Sequence, residues 1–165
     1  MADIEAYCEM EQDPDVRKFV GGYPRRREDA ENRFLRGLEQ PAVKMLSMWA
    51  TILKTENRYI GRCGIYPNFN DAGQPIANEG TLAFYIAKAY WGNGFAKEAG
   101  RAFVNFGFNK LGLKRIVSTI QEGNDASARV VEKLGFSKTY TEPATQTNLR
   151  SFIHFELNNS ITAHK

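Results

Sequence analysis

One stretch of this chain has the residue types and spacing to hold an anion: Tyr85-Ile86-Ala87-Lys88-Ala89-Tyr90-Trp91-Gly92-Asn93-Gly94-Phe95-Ala96. An alternating apolar run enters a turn bearing two glycines, and a helical pattern leaves it. Glycine tolerates positive φ and lets backbone approach a ligand closely. The first N–H groups of the helix, from Asn93 to Lys97, would point at one spot, and the helix dipole makes that spot attractive to phosphate. The chemistry expected is pyrophosphate binding. On Gly92 and Gly94 alone, a tight turn with no ligand is the simpler reading. A dinucleotide fingerprint wants a third glycine where Lys97 stands, and the Walker A pattern is absent.

Other chemistries lack their residues. Cys8 and Cys63 form no C-x-x-C pair, and the histidines are His154 and His164 only, so neither a zinc site nor a disulfide framework is expected. Cys63 has no histidine nearby in sequence to activate it and reads as a buried strand residue. A net charge of +3 permits an anionic ligand without requiring nucleic acid, because the basic residues fall in short clusters. No apolar run reaches the length of a membrane span. The opening MADIEAYCEM lacks a basic stretch followed by an apolar one. The expectation is a cytoplasmic protein, monomer or homodimer, with no metal and no nucleic-acid or membrane partner.

At 165 residues, 42% hydrophobic and 25% charged, the chain suits one globular domain over 1–165. Ile4 to Met10 is a short helical candidate. Asp13-Pro14-Asp15 marks a break and a new helix start, with Val16, Phe19 and Val20 at helical spacing. Gly21 to Pro24 is a loop, and Glu28 to Leu38 a helix with Ala30, Phe34 and Leu38 on one stripe. Strands are predicted over Lys44–Leu53 and Tyr59–Tyr66, a loop over Pro67–Asn78, and a strand over Thr81–Ile86. Leu82, Phe84 and Ile86 alternate there against Thr81, Ala83 and Tyr85. Phe95–Lys110 is the clearest helix, with Ala96, Ala99, Phe103 and Phe106 at steps of three and four. A strand at Arg115–Ile120 and a helix at Asp125–Leu134 follow. Asn124 or Asp125 is the N-cap of that helix, and Gly135 the left-handed residue after its end. Phe136–Thr141 and Ser151–Leu157 close as strands. This order implies an α/β fold with a mixed sheet flanked by helices.

The run from Tyr90 to Ala99 resembles the acetyl-CoA signature of the GNAT N-acetyltransferase superfamily, and its wording is nearest the RimJ/RimL-like branch. The resemblance continues through Leu113-Lys114-Arg115-Ile116 and Asn124 to Phe136, and Gly61-Arg62-Cys63-Gly64 is similar to the family's Ile-Gly-x-x-Gly strand. Three linked blocks in the right order are far more specific than a glycine pair. The resemblance implies a mostly antiparallel central sheet, acetyl-CoA as cosubstrate and an amine as acceptor, either a protein N-terminus or a small molecule. It implies pyrophosphate on the backbone of Trp91, Gly92, Asn93, Gly94, Phe95 and Ala96. The pantetheine arm would lie along Phe84, Tyr85 and Ile86, between splayed parallel strands. Asn124 and Ser127 would face the thioester end, with Lys97 and Lys133 as further phosphate partners.

The chain departs from the family pattern in several places. Trp91 replaces the usual Gln or Arg. Val131 stands where many members have a tyrosine general acid, which leaves Ser127 as the candidate proton donor. Ser127 and Asn124 are also open to a helix-capping reading. Thr81 occupies the strand position of the frequent glutamate base, and Glu79, two residues earlier and on the same face if the strand extends that far, is the candidate base. A solvated carboxylate is the competing reading for Glu79. The family's first strand is not visible before Ile4. Tyr23, Trp49, Phe69 and Tyr140 are candidates for an acceptor pocket. Arg25-Arg26-Arg27 reads either as a solvated loop or as a greeting for an acidic acceptor. The mechanism implied is direct attack of a neutral amine on the thioester in a ternary complex, with a backbone N–H near Tyr85–Ala87 on the oxyanion. The rival is a non-catalytic acyl-CoA-binding sensor or interaction module.

Overall fold

The computed structural model describes residues 3–39, 46–146 and 148–159. Three helices open the chain: α1 (Asp3–Gln12), α2 (Pro14–Arg17) and α3 (Arg27–Glu39). Asp13 starts α2 as expected, its side chain accepting from the N–H of Asp15 at 2.8 Å, with Pro14 in the first turn. The helix is one turn long, so Phe19 and Val20 lie beyond it. On α3, Ala30 is buried and Phe34 packs inward, but Leu38 stays exposed. Among the described residues, no strand precedes α1.

The sheet has six strands: β1 (Ser47–Leu53), β2 (Arg58–Phe69), β3 (Pro75–Ile86), β4 (Arg115–Gln121), β5 (Ser137–Glu142) and β6 (Phe152–Asn158). Lys44 and Met45, expected in β1, lie outside the described residues. The strand order is β1-β2-β3-β4-β6-β5, and only the β3–β4 pairing is parallel. The crossover between those two strands carries α4 (Phe95–Asn109); α5 (Asp125–Lys133) follows β4.

Two predictions need correction. Pro67–Asn78 is not a loop, because β2 and β3 continue as a hairpin with Tyr66 opposite Thr81 and Phe69 opposite Pro75. Cross-strand pairing overrides the turn-rich composition, and the turn shrinks to 70–74. Asn70 holds that turn by accepting from the N–H groups of Ala72 and Gln74 at 3.1 and 2.9 Å. The second correction concerns α4, whose most buried face is Gly100, Val104 and Gly107, with Ala99 and Phe103 flanking it. A Cβ on Gly107 would stand 2.8 Å from the Ile65 side chain, so the glycines let the helix lie close on the sheet. Residues without side chains leave no mark in a hydrophobic period.

The sheet separates two cores. Cys63, Ile65, Leu82, Ile116, Val131 and Phe155 pack under α4 and α5. Tyr7, Cys8, Met10, Ala30 and Tyr59 pack between α1, α3 and the sheet, with Tyr85 against them. The alternation along β3 is the expected one: Leu82 and Phe84 face one core and Tyr85 the other.

Candidate active site

β3 and β4 pair only from Glu79–Arg115 to Thr81–Val117 and then part. The N–H of Ala87 donates to the Ile60 carbonyl at 2.9 Å, and the Ser118 hydroxyl donates to the Leu82 carbonyl at 3.1 Å. Peptide groups alternate sides along a strand. Tyr85 and Ala87 are therefore bonded towards β2, while Phe84 and Ile86 turn their N–H groups into the gap left by β4. The Trp91 indole closes part of the gap by donating to the Ile86 carbonyl at 2.7 Å.

A short 3-10 turn, Lys88–Tyr90, leads from β3 to the glycine turn. Gly92 and Gly94 have φ of 79° and 81°, the left-handed region that favours glycine. A Cβ on either would meet nothing within 4 Å, so both border open space. Gly94 is the N-cap of α4 and brings no side chain to cap it. The N–H groups of Phe95, Ala96 and Lys97 therefore face the cleft without side-chain capping.

These features share one cleft of about 440 Å³. It is lined by Phe84, Tyr85, Ile86, Trp91, Gly92, Gly94, Phe95, Ala96, Lys97, Asn124, Ser127 and Lys133, all named from the sequence. Asn93 stands outside it, with its side-chain amide donating to the Trp91 carbonyl at 3.1 Å. Sequence reasoning missed the opposite wall, built by Val16, Phe19 and Val20, and it missed Arg129. Arg129 lies one helical step of four before Lys133, which puts both on one face of α5. With Lys97 they bring three cations to the cleft.

The capping question for α5 resolves clearly. Asn124 accepts from the Ser127 N–H at 3.3 Å, so Asn124 is the cap. The Ser127 hydroxyl makes no hydrogen bond among the described residues and faces the cleft. Val131 is fully buried in the core and presents nothing to the cleft. Gly135 has φ of 99°, the left-handed residue expected after the helix.

Glu79 lines neither the cleft nor the larger cavity described below. Arg115 grips its carboxylate through Nε at 2.9 Å and Nη2 at 2.8 Å, and the Asn68 amide donates to it at 2.9 Å. Burial pushes the Glu79 carboxyl up, but the Arg115 and Asn68 hydrogen bonds outweigh that and hold it below its ordinary value. Phe84, where the cleft begins, lies five residues further on, roughly 16 Å along an extended strand. Burial pushes the Cys63 thiol up to about 12, which removes it as a nucleophile.

A second cavity, about 800 Å³, opens on the α1–α3 side of the sheet. Trp49 and Tyr66 line it, and so does Tyr85, which thus belongs to both spaces. Of the other expected aromatics, Tyr23 and Phe69 are exposed elsewhere, and Tyr140 stacks on His154 at 4.2 Å. The three consecutive arginines are not a free patch. Arg25 pairs with Glu11, Arg26 with Asp29, and Arg27 with Glu5 and Glu31.

The sequence model of the acetyltransferase (GNAT) domain family matches residues 1–137. The chain belongs to the GNAT acetyltransferase family. Among its relatives, YkkB of Bacillus subtilis (strain 168) is 35% identical over 133 residues, covering 77% of this chain and 72% of the relative. An uncharacterized N-acetyltransferase of Bacillus licheniformis, p20, is 24% identical over 84% of this chain and 75% of its own. A GNAT acetyltransferase crystal structure from Bacillus anthracis superposes with a TM-score of 0.80 over 94% of this chain and 89% of that one, at 23% identity. The parted parallel strands and the glycine turn are thus elements of a GNAT fold. Among the described residues of this GNAT domain, no group of three or more His, Cys, Asp or Glu is placed to hold a metal, and no helix is long and apolar enough to cross a membrane.

Proposed function

We propose that this chain is an acetyl-CoA-dependent N-acetyltransferase in which an amine, held in the larger cavity, attacks the thioester directly in a ternary complex. The observation that carries the reading is Tyr85, shared between the cleft at the glycine turn and a separate aromatic cavity. Two substrates entering from opposite faces would meet at that strand, and holding them there makes the reaction effectively unimolecular.

Bound acetyl-CoA supplies the activated acetyl group. The N–H groups of Phe95, Ala96 and Lys97, with the cations of Lys97, Arg129 and Lys133, would hold its phosphates. Phe84 and Ile86 offer backbone groups to its arm, and the Ile86 N–H is the donor best placed for the thioester oxygen. The N–H of Ala87 is already committed to Ile60. The Ser127 hydroxyl would protonate the leaving sulfur. Glu79 is committed to Arg115, so the amine would lose its proton to water. The wording of residues 90–99 supports a place near the RimJ/RimL-like branch.

Acetyl-CoA at a hundredfold excess over its dissociation constant is expected to stabilise the fold by about 2.7 kcal/mol. For a chain of this size that raises Tm by roughly 5–11 °C. NAD and ATP at equal concentration should not, and free thiol should appear once an amine panel is added. Equal shifts from all three ligands would sink the cleft assignment. A shift specific to acetyl-CoA with no thiol released would mark a non-catalytic acyl-CoA-binding module.

Ser127→Ala should leave Tm unchanged, because its hydroxyl has no partner among the described residues, and lower turnover about a hundredfold. Ser127→Thr, which keeps the hydroxyl, should retain most of the rate. Unchanged turnover in the alanine variant would leave the hydroxyl without a chemical role.

A further inference from the structure

A cluster of arginines around one buried carboxylate reaches the larger cavity through Arg62. Glu11, only 1% exposed, accepts from Arg17 at 3.2 Å, Arg25 at 2.7 Å and Arg62 at 2.7 Å. One carboxylate thus faces three guanidinium groups. Arg62 lines the cavity itself, together with Arg33 and Arg36, and Asp3 is the one carboxylate in the lining among the described residues. Such a site carries a positive potential that attracts anions.

Two polar atoms there lack partners. Among the described residues, the buried side-chain nitrogens and oxygens with no hydrogen bond are the Tyr59 hydroxyl and Arg62 Nε. Both residues line this cavity, and Tyr59 is 6% exposed. A buried polar group without a partner is costly, so each atom favours a ligand that supplies one. Both atoms can donate, so each is complemented by an acceptor such as a carboxylate oxygen.

Arg62 is also held in place. Its Nη1 donates to the Tyr7 hydroxyl at 2.9 Å, and its guanidinium lies 5.1 Å from the Tyr7 ring centre and 4.7 Å from that of Tyr85. An anion on Arg62 would therefore sit one aromatic ring away from the strand where the cleft begins. Phe34 and the half-exposed Trp49 add apolar wall beside it.

We infer that this cavity takes a small primary amine that also bears a carboxylate, its anionic end on Arg62 and Tyr59 and its amine turned towards Tyr85. The amine half rests on the transferase reading above; the carboxylate half rests on the cavity alone. Polyamines fit poorly, because they would bring several positive charges against the arginines.

The test is calorimetry on the full chain with coenzyme A present. The ligands are the free L-amino acids, each paired with its carboxamide, together with spermidine. At least one amino acid should bind tenfold or more tightly than its amide, with no heat from spermidine. Tyr59→Phe should shrink that preference to about threefold or less, without lowering Tm or coenzyme A affinity, since the hydroxyl has no partner among the described residues. No carboxylate preference anywhere in the panel, or an undiminished one in Tyr59→Phe, would overturn the inference. Tripeptides binding as well as free amino acids would overturn its small-molecule part. Thiol release in parallel samples, with acetyl-CoA in place of coenzyme A, separates the two readings. Carboxylate-dependent binding without transfer defeats the transferase and leaves the carboxylate site. Equal transfer to acid and amide defeats the carboxylate site and leaves the transferase.

Discussion

Gly94→Asp is expected to weaken acetyl-CoA binding about a thousandfold while the chain still folds. Gly94 sits at φ of 81° and ψ of 0°, a conformation aspartate tolerates at a cost of roughly 1 kcal/mol. The new Cβ would meet nothing within 4 Å, so no clash arises. An aspartate before α4 would even cap the N–H groups that Gly94 leaves open. Binding should suffer for the same reason, because its carboxylate takes the place of a phosphate. Two like charges 4 Å apart repel by about 4 kcal/mol at an effective dielectric of 20, close to a thousandfold in affinity. Gly94→Asn isolates the charge: it has the same size and tolerance for positive φ but no repulsion, and should lose only about tenfold. Calorimetry with acetyl-CoA and a melting curve on each variant decide the matter. A folded Gly94→Asp protein within threefold of wild type would place the phosphates elsewhere.

Glu11→Gln should lower Tm by about 10 °C or more. The substitution keeps the shape of the side chain but removes the only carboxylate that Arg17 and Arg62 contact in the described structure. Arg17 is 4% exposed, and its burial, opposed by Glu11, already pulls its pKa below the ordinary value. Removing one partner of a buried pair typically costs about 3–5 kcal/mol. At roughly 2–4 °C per kcal/mol for a chain of this size, that gives the expected drop. Salt should restore part of it by screening the arginines. A melting temperature within 2 °C or so of wild type would mean that the arginines are solvated and the pairing carries no stability.

These two positions also mark how far the sequence could be read. Gly94 was legible because its role is local. A strand, a glycine turn and a helix start within a dozen residues, and the positive φ and open N–H groups follow from that order alone. Asn124 as a cap, Gly135 beyond its helix, and the alternation of Leu82, Phe84 and Tyr85 belong to the same class, since each depends on neighbours a few residues away. The resemblance to GNAT enzymes rests on such blocks too.

Tertiary structure decided what depends on distant residues. Glu11 drew no role from the sequence, because its partner Arg62 lies 51 positions away and reaches it only because β2 passes under α1. Glu79 read as a candidate base until Arg115, 36 positions later, closed on it across the parallel pair. The β2–β3 hairpin ran through residues whose composition favours a loop, because pairing along two strands outweighed local preference. Thus the sequence by itself determined the backbone of the glycine turn and the start of α4, where each residue's conformation follows from its close neighbours. The tertiary fold alone decided which charges are paired and where the second cavity opens, because both depend on which distant segments the sheet order brings together.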